Sequence, residues 1–149
     1  MKTIKTKELN QIQNYKEFSK KDLVEISKEP KIIYVNKIPT FFFYEEKIIQ
    51  TLMFLQSSEQ MILKKITIDM GAIKYIVNGA DIMRPGIVEI EKNIEKNEPV
   101  VVVDINHKKP IAIGIALLYS EEMEKNNSGK VVKNIHYVGD EIWGLYNYK

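Results

Sequence analysis

Two short apolar runs with a polar turn between them constrain this chain more than any other feature. Val100-Val101-Val102-Val103 follows Pro99, and Ile111 to Leu118 follows Pro110, with Asn106 to Lys109 between them. The runs are β-branched, too short for core helices and punctuated by proline, so they read as the two strands of a buried hairpin. The surrounding segments repeat this rhythm. Ile66 to Ile68 is a short strand. Pro85-Gly86 is a turn before a strand at Ile87 to Ile90. Val131 to Val138 and Ile142 to Tyr148 are expected to form a last hairpin turning at Gly139-Asp140. One helix interrupts the series, from Gly71 to Asn78, with Asp69 near its start, Ala72, Ile73, Ile76 and Val77 as its apolar stripe and Gly79 as a left-handed stop. Ser120 to Glu124 reads as a capped helical turn, and Asn126 to Lys130 as a loop. Five or six short strands with one early helix describe a small, mostly β barrel.

The first 65 residues have a different pattern. Residues 1–18 are polar and weakly patterned. Ser19, with Asp22 three residues on and Leu23, Val24 and Ile26 behind it, predicts a short helix that Pro30 stops. Lys31 to Tyr44 predicts a hairpin turning at Asn36-Lys37. The aromatic run Phe41 to Tyr44 implies a strand covered on both faces, by helices. Glu45 to Gln56 predicts a helix, since acidic residues open it and Ile48, Ile49, Leu52, Met53 and Leu55 recur at helical spacing. Ser57-Ser58-Glu59 is a break. The boundary between two domains is expected near Lys65, without a flexible linker, so that residues 1–65 and 66–149 pack together. The fold class is therefore α+β: a small N-terminal α/β domain against a C-terminal β pseudobarrel.

Composition limits the function. The chain of 149 residues has no cysteine, so disulfides, cysteine zinc sites and thiol nucleophiles are excluded. Two histidines far apart, His107 and His136, make a poor metal site, and neither a metal nor a cofactor is expected. His136 is expected to be a structural hydrogen-bonding residue beside Trp143, itself a core anchor. The polar start is not a signal peptide, and no apolar run approaches the roughly 18 residues of a membrane span. A soluble cytoplasmic protein without a membrane partner is expected. The net charge is +2, but it is unevenly distributed. Residues 1–65 hold 12 Lys+Arg and 8 Asp+Glu, whereas residues 66–149 hold 10 and 12. Any nucleic-acid site must then be a local patch. The series Glu89, Glu91, Glu95 and Glu98 reads as a solvated face. No phosphate-binding loop, dinucleotide fingerprint or hydrolase motif is present, and no enzymatic activity is expected.

Several ordered blocks carry a resemblance. Asp69-Met70-Gly71-Ala72, then Gly79 to Ile87, then Val100 to Asp104, Pro110 to Ala116, Gly129 to Tyr137 and Asp140 to Trp143 together resemble the PUA domain. The name comes from pseudouridine synthases and archaeosine transglycosylases. Among PUA proteins the chain is most similar to the malignant T-cell-amplified sequence family, through Gly71 to Lys74 and through Asn134 to Trp143, closing at Tyr148-Lys149. The N-terminal part matches more loosely, as a pre-PUA domain, and departs from the family pattern at Gln50-Thr51. The resemblance implies an RNA-binding, ribosome- or tRNA-associated factor in translation initiation or recycling. Its implied partners are tRNA or small-subunit rRNA, the small ribosomal subunit and an initiation-factor-like protein. Two rival readings are an RNA-targeting accessory subunit of a tRNA- or rRNA-modifying enzyme, and a protein-interaction module without RNA.

Six residues are candidates for RNA contact. Gly71 and Ala72 open the short helix, where small side chains either admit a phosphate to backbone N–H groups or let the helix pack closely. Lys74 and Arg84 flank the segment as phosphate contacts, with Arg84 also able to stack on a base, or as plain surface charge. Lys130 and Lys133 extend a basic groove. The strand Ile111 to Leu117 alternates isoleucine with Ala112, Gly114 and Ala116, so one side is bare, and nucleic acid, the short helix or a neighbouring strand must come close to it. These features predict one groove, rimmed by Lys74, Arg84, Lys130 and Lys133 and floored by Gly71, Ala72 and that bare side.

Overall fold

A computed structural model describes residues 1–13, 18–57 and 62–146. The chain forms two antiparallel-dominated sheets with short helices. The first is a meander, β1 (Lys2–Ile4), β2 (Val24–Ile26), β3 (Ile32–Val35), β4 (Ile38–Tyr44) and β5 (Lys47–Gln50), paired in chain order. Helix α1 (Thr6–Gln13) follows β1, and α2 (Leu52–Ser57) follows β5. The expected hairpin forms around Asn36 and Lys37, both with positive φ (53° and 70°), the geometry of a two-residue turn matched to strand twist.

Two expectations for this region give way to sheet. Glu45 to Gln56 is not one helix. Glu45 takes φ 53° and turns the chain, so that Lys47 to Gln50 return along β4 before α2 begins. The isoleucines that fit a helical stripe fit a strand as well, and the partner strand decides between them. The predicted helix after Ser19 is a single turn, in which Asp22 accepts the Ser19 N–H (2.9 Å), followed by β2. Residues 1–13 form β1 and α1, with Leu9 fully buried on the sheet, although they carry little pattern. Within the expected break at Ser57 to Glu59, Ser58 and Glu59 lie outside the described residues.

The aromatic strand is covered on both faces, but by different materials. Phe41 joins Leu9, Ile33 and Val35, with Phe18 and Phe54 packed alongside. Phe42 joins Ile32, Ile49, Leu52 and Leu55 against Val101, Val103, Ile113 and Ile115 of the second sheet. One cover is therefore the second sheet itself rather than a helix. Each such side chain contributes about 1.5–3 kcal/mol on burial, enough to hold the two sheets together.

The second sheet contains β6 (Lys64–Ile68), β7 (Ile82–Met83), β8 (Ile87–Ile90), β9 (Pro99–Asp104), β10 (Pro110–Ala116) and β11 (Lys130–Tyr137). Their order is β7-β11-β10-β9-β6-β8, with β6 and β9 parallel. The two edge strands, β7 and β8, are separated in sequence by only three residues, the 3-10 turn Arg84–Gly86. Six strands laid flat would put the edges about 24 Å apart, whereas the connection from Met83 to Ile87 spans at most about 14 Å. The sheet must therefore curl round until its edges meet, which makes the expected pseudobarrel. Ile66, Ile68, Ile76, Ile82, Val100, Val102, Val131 and Val132 fill it, and Met123 of α4 (Ser120–Lys125) is buried among them.

The early helix divides into a 3-10 turn, Met70–Ala72, and α3 (Ile73–Ile76). Gly79 follows with φ 95°, as a left-handed helix stop requires. The last predicted hairpin does not form among the described residues. Asp140 instead accepts the Trp143 N–H (2.9 Å) and starts α5 (Glu141–Gly144), a helix start from an acidic N-cap. Residues 147–149 lie outside the described residues.

Candidate nucleic-acid interface

Strand β10 runs through the middle of the molecule and is closed on both faces. All seven of its residues are buried. Ala112 and Ala116 face the barrel core, while Ile113 and Ile115 face the first sheet. The small side chains allow close packing, not ligand access. A Cβ on Gly114 would lie 2.3 Å from Val132 Cγ1 and 2.8 Å from the Lys133 carbonyl oxygen, at the bulge where β10 pairs with β11. The bare side of this strand is therefore not the floor of a groove.

The open cleft lies instead between the 70–76 helical segment and the 80–86 connection, with a volume of about 470 Å³. Ile68, Ile76 and Ile82 reach it from the core. Asp69, Ala72, Tyr75, Asp81, Met83 and Pro85 are also in its wall. Its shape is fixed by hydrogen bonds from β11. Asn134 Nδ2 donates to the Ile76 and Ala80 carbonyls (3.0 and 2.9 Å), and the Asn134 N–H donates to Asp81 Oδ1 (2.8 Å). Gly86 is close-packed, since a Cβ there would sit 3.1 Å from Ala72 Cβ. Gly71 is different: a Cβ would meet nothing nearer than 3.5 Å, so packing does not explain its lack of side chain. The Ala72 N–H, the donor considered for a phosphate, is taken by Asp69 Oδ1 at 2.9 Å. A carboxylate already occupies the positive end of the segment.

The candidate cations do not form one rim. Lys74 is exposed, with Nζ 5.2 Å from the Tyr75 ring centre. Lys130 pairs with Asp81 Oδ2 at 2.8 Å on the cleft wall. Burial pushes the Asp81 carboxyl up, but hydrogen bonds from Lys130 and the Asn134 N–H, with the field of Lys130 and Lys133, hold it below its ordinary value. Lys133 lies toward the first sheet, 5.7 Å from the Tyr44 ring centre. Its hydrogen bond to the Tyr44 hydroxyl, aided by the Asp81 and Glu45 carboxylates, raises it above the ordinary lysine value, so it stays charged. Arg84 is committed elsewhere. Its Nε donates to the Met123 carbonyl (2.8 Å), Nη1 to the Ile87 carbonyl (3.1 Å), and its backbone N–H to the Gly129 carbonyl (2.8 Å). It closes the seam where the two edges of the curled sheet meet.

The residue-level reading missed Tyr75. It is 59% exposed on a segment whose apolar stripe lies on Ala72, Ile73, Ile76 and Val77. An aromatic off the stripe of an amphipathic helix was the available signal. Met83, in the same cleft wall, is also exposed, giving the cleft an apolar, polarisable surface. A flat ring over an apolar cavity, with lysines beside it, suits an unstacked base and its phosphates.

Curled sheet, short helix and cleft define the class: a PUA-type pseudobarrel carrying a small N-terminal sheet domain. Residues 64–138 match the PUA domain family, and residues 2–58 match a domain of unknown function (DUF1947). An uncharacterized protein of Methanocaldococcus jannaschii is 48% identical over 82% of this chain and 75% of its own length. Malignant T-cell-amplified sequence 1-B of Xenopus laevis is 31% identical over 95% of this chain and 78% of its own. Translation machinery-associated protein 20 of Schizosaccharomyces pombe is 37% identical over 53% of this chain and 46% of its own. The crystal structure of a hypothetical protein from Pyrococcus horikoshii superposes with a TM-score of 0.79 at 34% identity, over 97% of this chain and 98% of that one. A chain from an H/ACA ribonucleoprotein bound to a substrate RNA gives 0.50 at 25% identity, over 57% of this chain and 26% of its own. The chain belongs to the PUA-domain family that includes malignant T-cell-amplified sequence 1.

Proposed function

We propose that this protein is a non-enzymatic, cytoplasmic RNA-binding factor of translation, acting on tRNA or the small ribosomal subunit in initiation or recycling. Residues 1–65 serve as the pre-PUA domain and residues 66–149 as the PUA domain, with an initiation-factor-like protein as a further partner. The observation that carries this reading is Tyr75, an exposed aromatic in the wall of an apolar cleft, with Lys74 against its ring and Lys130 paired to Asp81 of the same wall. A splayed base stacks on the ring, the apolar wall takes its edge, and the lysines meet the flanking phosphates. Gly71 leaves room at the mouth for the ribose, and Ala72 keeps the wall shallow. Lys133 extends the positive surface toward the first sheet. Single strands fit because a cleft of about 470 Å³ admits a nucleotide and excludes a duplex. The name of one relative, translation machinery-associated protein 20, supports the translation assignment.

Sucrose-gradient sedimentation of native protein with purified small subunits tests this. Co-sedimentation that falls as salt rises is expected, and protein left at the top of the gradient at low salt contradicts it. A second reading, an accessory subunit that brings RNA to a modification enzyme, draws on the likeness to the H/ACA ribonucleoprotein. Co-purification with a modification enzyme rather than with subunits favours it.

A further inference from the structure

The first sheet carries a larger concavity that the cleft at Tyr75 does not use. It measures about 710 Å³ and is lined by Lys2, Ile26, Ser27, Lys28, Glu29 and Lys31, together with Met1. Strand pairing sets Lys2 opposite Ile26, so that both side chains stand on the same face of the sheet. Lys28 and Lys31 come from the connection between β2 and β3, which is clamped at its base. The Ser27 N–H donates to the Ile32 carbonyl (2.9 Å), the Ile32 N–H donates to Ser27 Oγ (3.1 Å), and Ser27 Oγ donates to the Pro30 carbonyl (2.6 Å). Lys31 Nζ rests 4.4 Å from the Phe43 ring centre. None of the three lysines pairs with an acidic side chain among the described residues, whereas Lys37, Lys64, Lys108 and Lys130 all do. Glu29 is the single acidic residue in the lining.

We propose that this concavity is a second RNA-contacting surface, which Lys2, Lys28 and Lys31 use to hold the phosphate backbone of the same RNA whose unpaired nucleotides enter the cleft at Tyr75. Ammonium groups without carboxylate partners gain most from a polyanion, because phosphates replace water and released counterions rather than an existing ion pair. The clamped turn holds two of the three cations in place beforehand, which lowers the ordering cost of binding. The charge of the chain agrees: residues 1–65 are net +4 and residues 66–149 net −2. A backbone contact on the positive half and a base contact on the negative half divide affinity from selectivity.

This inference rests on the RNA-binding reading, and the test separates their failures. Binding of a fluorescein-labelled RNA hairpin with a single-stranded 3′ tail is measured by anisotropy across a salt series. The proteins compared are the native chain, Lys28→Ala/Lys31→Ala, and Lys20→Ala/Lys21→Ala, which removes equal charge from another turn of the same sheet. The first variant is expected to lower the slope of log K against log salt by about 0.7–0.9 per contact, about 1.5 for the pair, with an unchanged melting temperature. The control pair should leave the slope within error of native. Equal losses from both pairs would overturn the proposal in favour of diffuse attraction. An unaltered slope in Lys28→Ala/Lys31→Ala would overturn it and leave the cleft at Tyr75 standing. No binding by the native protein would overturn both. Binding of an oligoglutamate that depends on these lysines, while RNA binding does not, would assign the surface to an acidic protein instead.

Discussion

His136 and Leu52, 84 residues apart in sequence, are joined by a buried hydrogen bond in which the Leu52 N–H donates to His136 Nε2 at 3.1 Å. The bond ties the second sheet to the first turn of α2 and fixes the state of the ring. Nε2 accepts, so Nδ1 carries the proton and donates to Asp140, 2.9 Å away. Asp140 in turn accepts the Tyr137 and Trp143 N–H groups, both at 2.9 Å. One carboxylate thus starts α5 and orients a neutral imidazole, and that imidazole satisfies an orphan donor of α2.

Replacing His136 should therefore damage the joint between the sheets. The ring is fully buried and meets Phe42 edge-on at 5.2 Å. His136→Ala leaves the Leu52 N–H without its partner, takes one of three donors from the Asp140 carboxylate and opens a cavity, a loss of about 3–4 kcal/mol. His136→Gln, which keeps an acceptor, should lose less. Urea unfolding of the three proteins gives the order, and equal midpoints would contradict the joint.

Acid should weaken the fold through three aspartates. At Asp140 burial pushes the carboxyl up, but the hydrogen bonds from His136, Trp143 and Tyr137 outweigh it. At Asp104 the hydrogen bond from the His107 N–H is the largest influence and lowers it. Asp81 is lowered as described above. All three lie below the ordinary value of 3.8. A carboxyl depressed in the folded state stabilises the fold fully above its unfolded value, and that stability is lost as pH falls through the folded value. Urea midpoints should be nearly constant from neutrality to about pH 5 and fall below about pH 4. Asp104→Asn should start lower and flatten the acid limb. A variant with the native acid limb would contradict this assignment.

Two glycines should respond in opposite ways. Gly114→Ala forces a Cβ to 2.3 Å from Val132, overpacking that costs about 1–3 kcal/mol or more. Gly71→Ala meets nothing closer than 3.5 Å and should alter stability by no more than about 0.5 kcal/mol, while weakening RNA binding. Thermal melts with parallel RNA titrations separate the two, and a destabilised Gly71→Ala would show that packing explains both.

Arg84 and Lys74 should also separate. The Arg84 side chain closes the barrel seam through the Met123 and Ile87 carbonyls, so Arg84→Ala should cost about 1.5–3 kcal/mol. Lys74→Glu touches only exposed charge and should leave the melting temperature unchanged while weakening RNA binding. A stable Arg84→Ala that binds RNA poorly would return Arg84 to the contact surface.

The second sheet was readable in the sequence because prolines and glycines punctuate it: Pro85-Gly86, Pro99 and Pro110 each stand beside a strand start. In the first sheet Asn36-Lys37 marks the turn between β3 and β4, and in the second half Gly79 marks the helix stop. Elsewhere local signals supported two structures. Ile48, Ile49 and Leu52 satisfy either period, and only pairing with β4 selects a strand for the first two. Asp140 suits a turn and a helix N-cap equally, and its carboxylate caps α5. Most of the candidate contacts are surface side chains whose neighbours come from distant strands. Arg84 lies on the seam because β7 and β8 meet only after the sheet has curled, which no short window of sequence contains. Tyr75 carried a signal, an aromatic off the apolar stripe, while Gly114 was bare for the sake of Val132.

The most direct measurement is the affinity of a single-stranded RNA for the native protein and for Tyr75→Ala, with thermal melts of both. If Tyr75 is the stacking platform of the cleft, the variant should lose about 1–3 kcal/mol of binding, roughly fivefold to 150-fold. Its melting temperature should be unchanged and its salt slope equal to native, since no phosphate contact is removed. Native affinity in a folded Tyr75→Ala would contradict the assignment of this cleft as the RNA site.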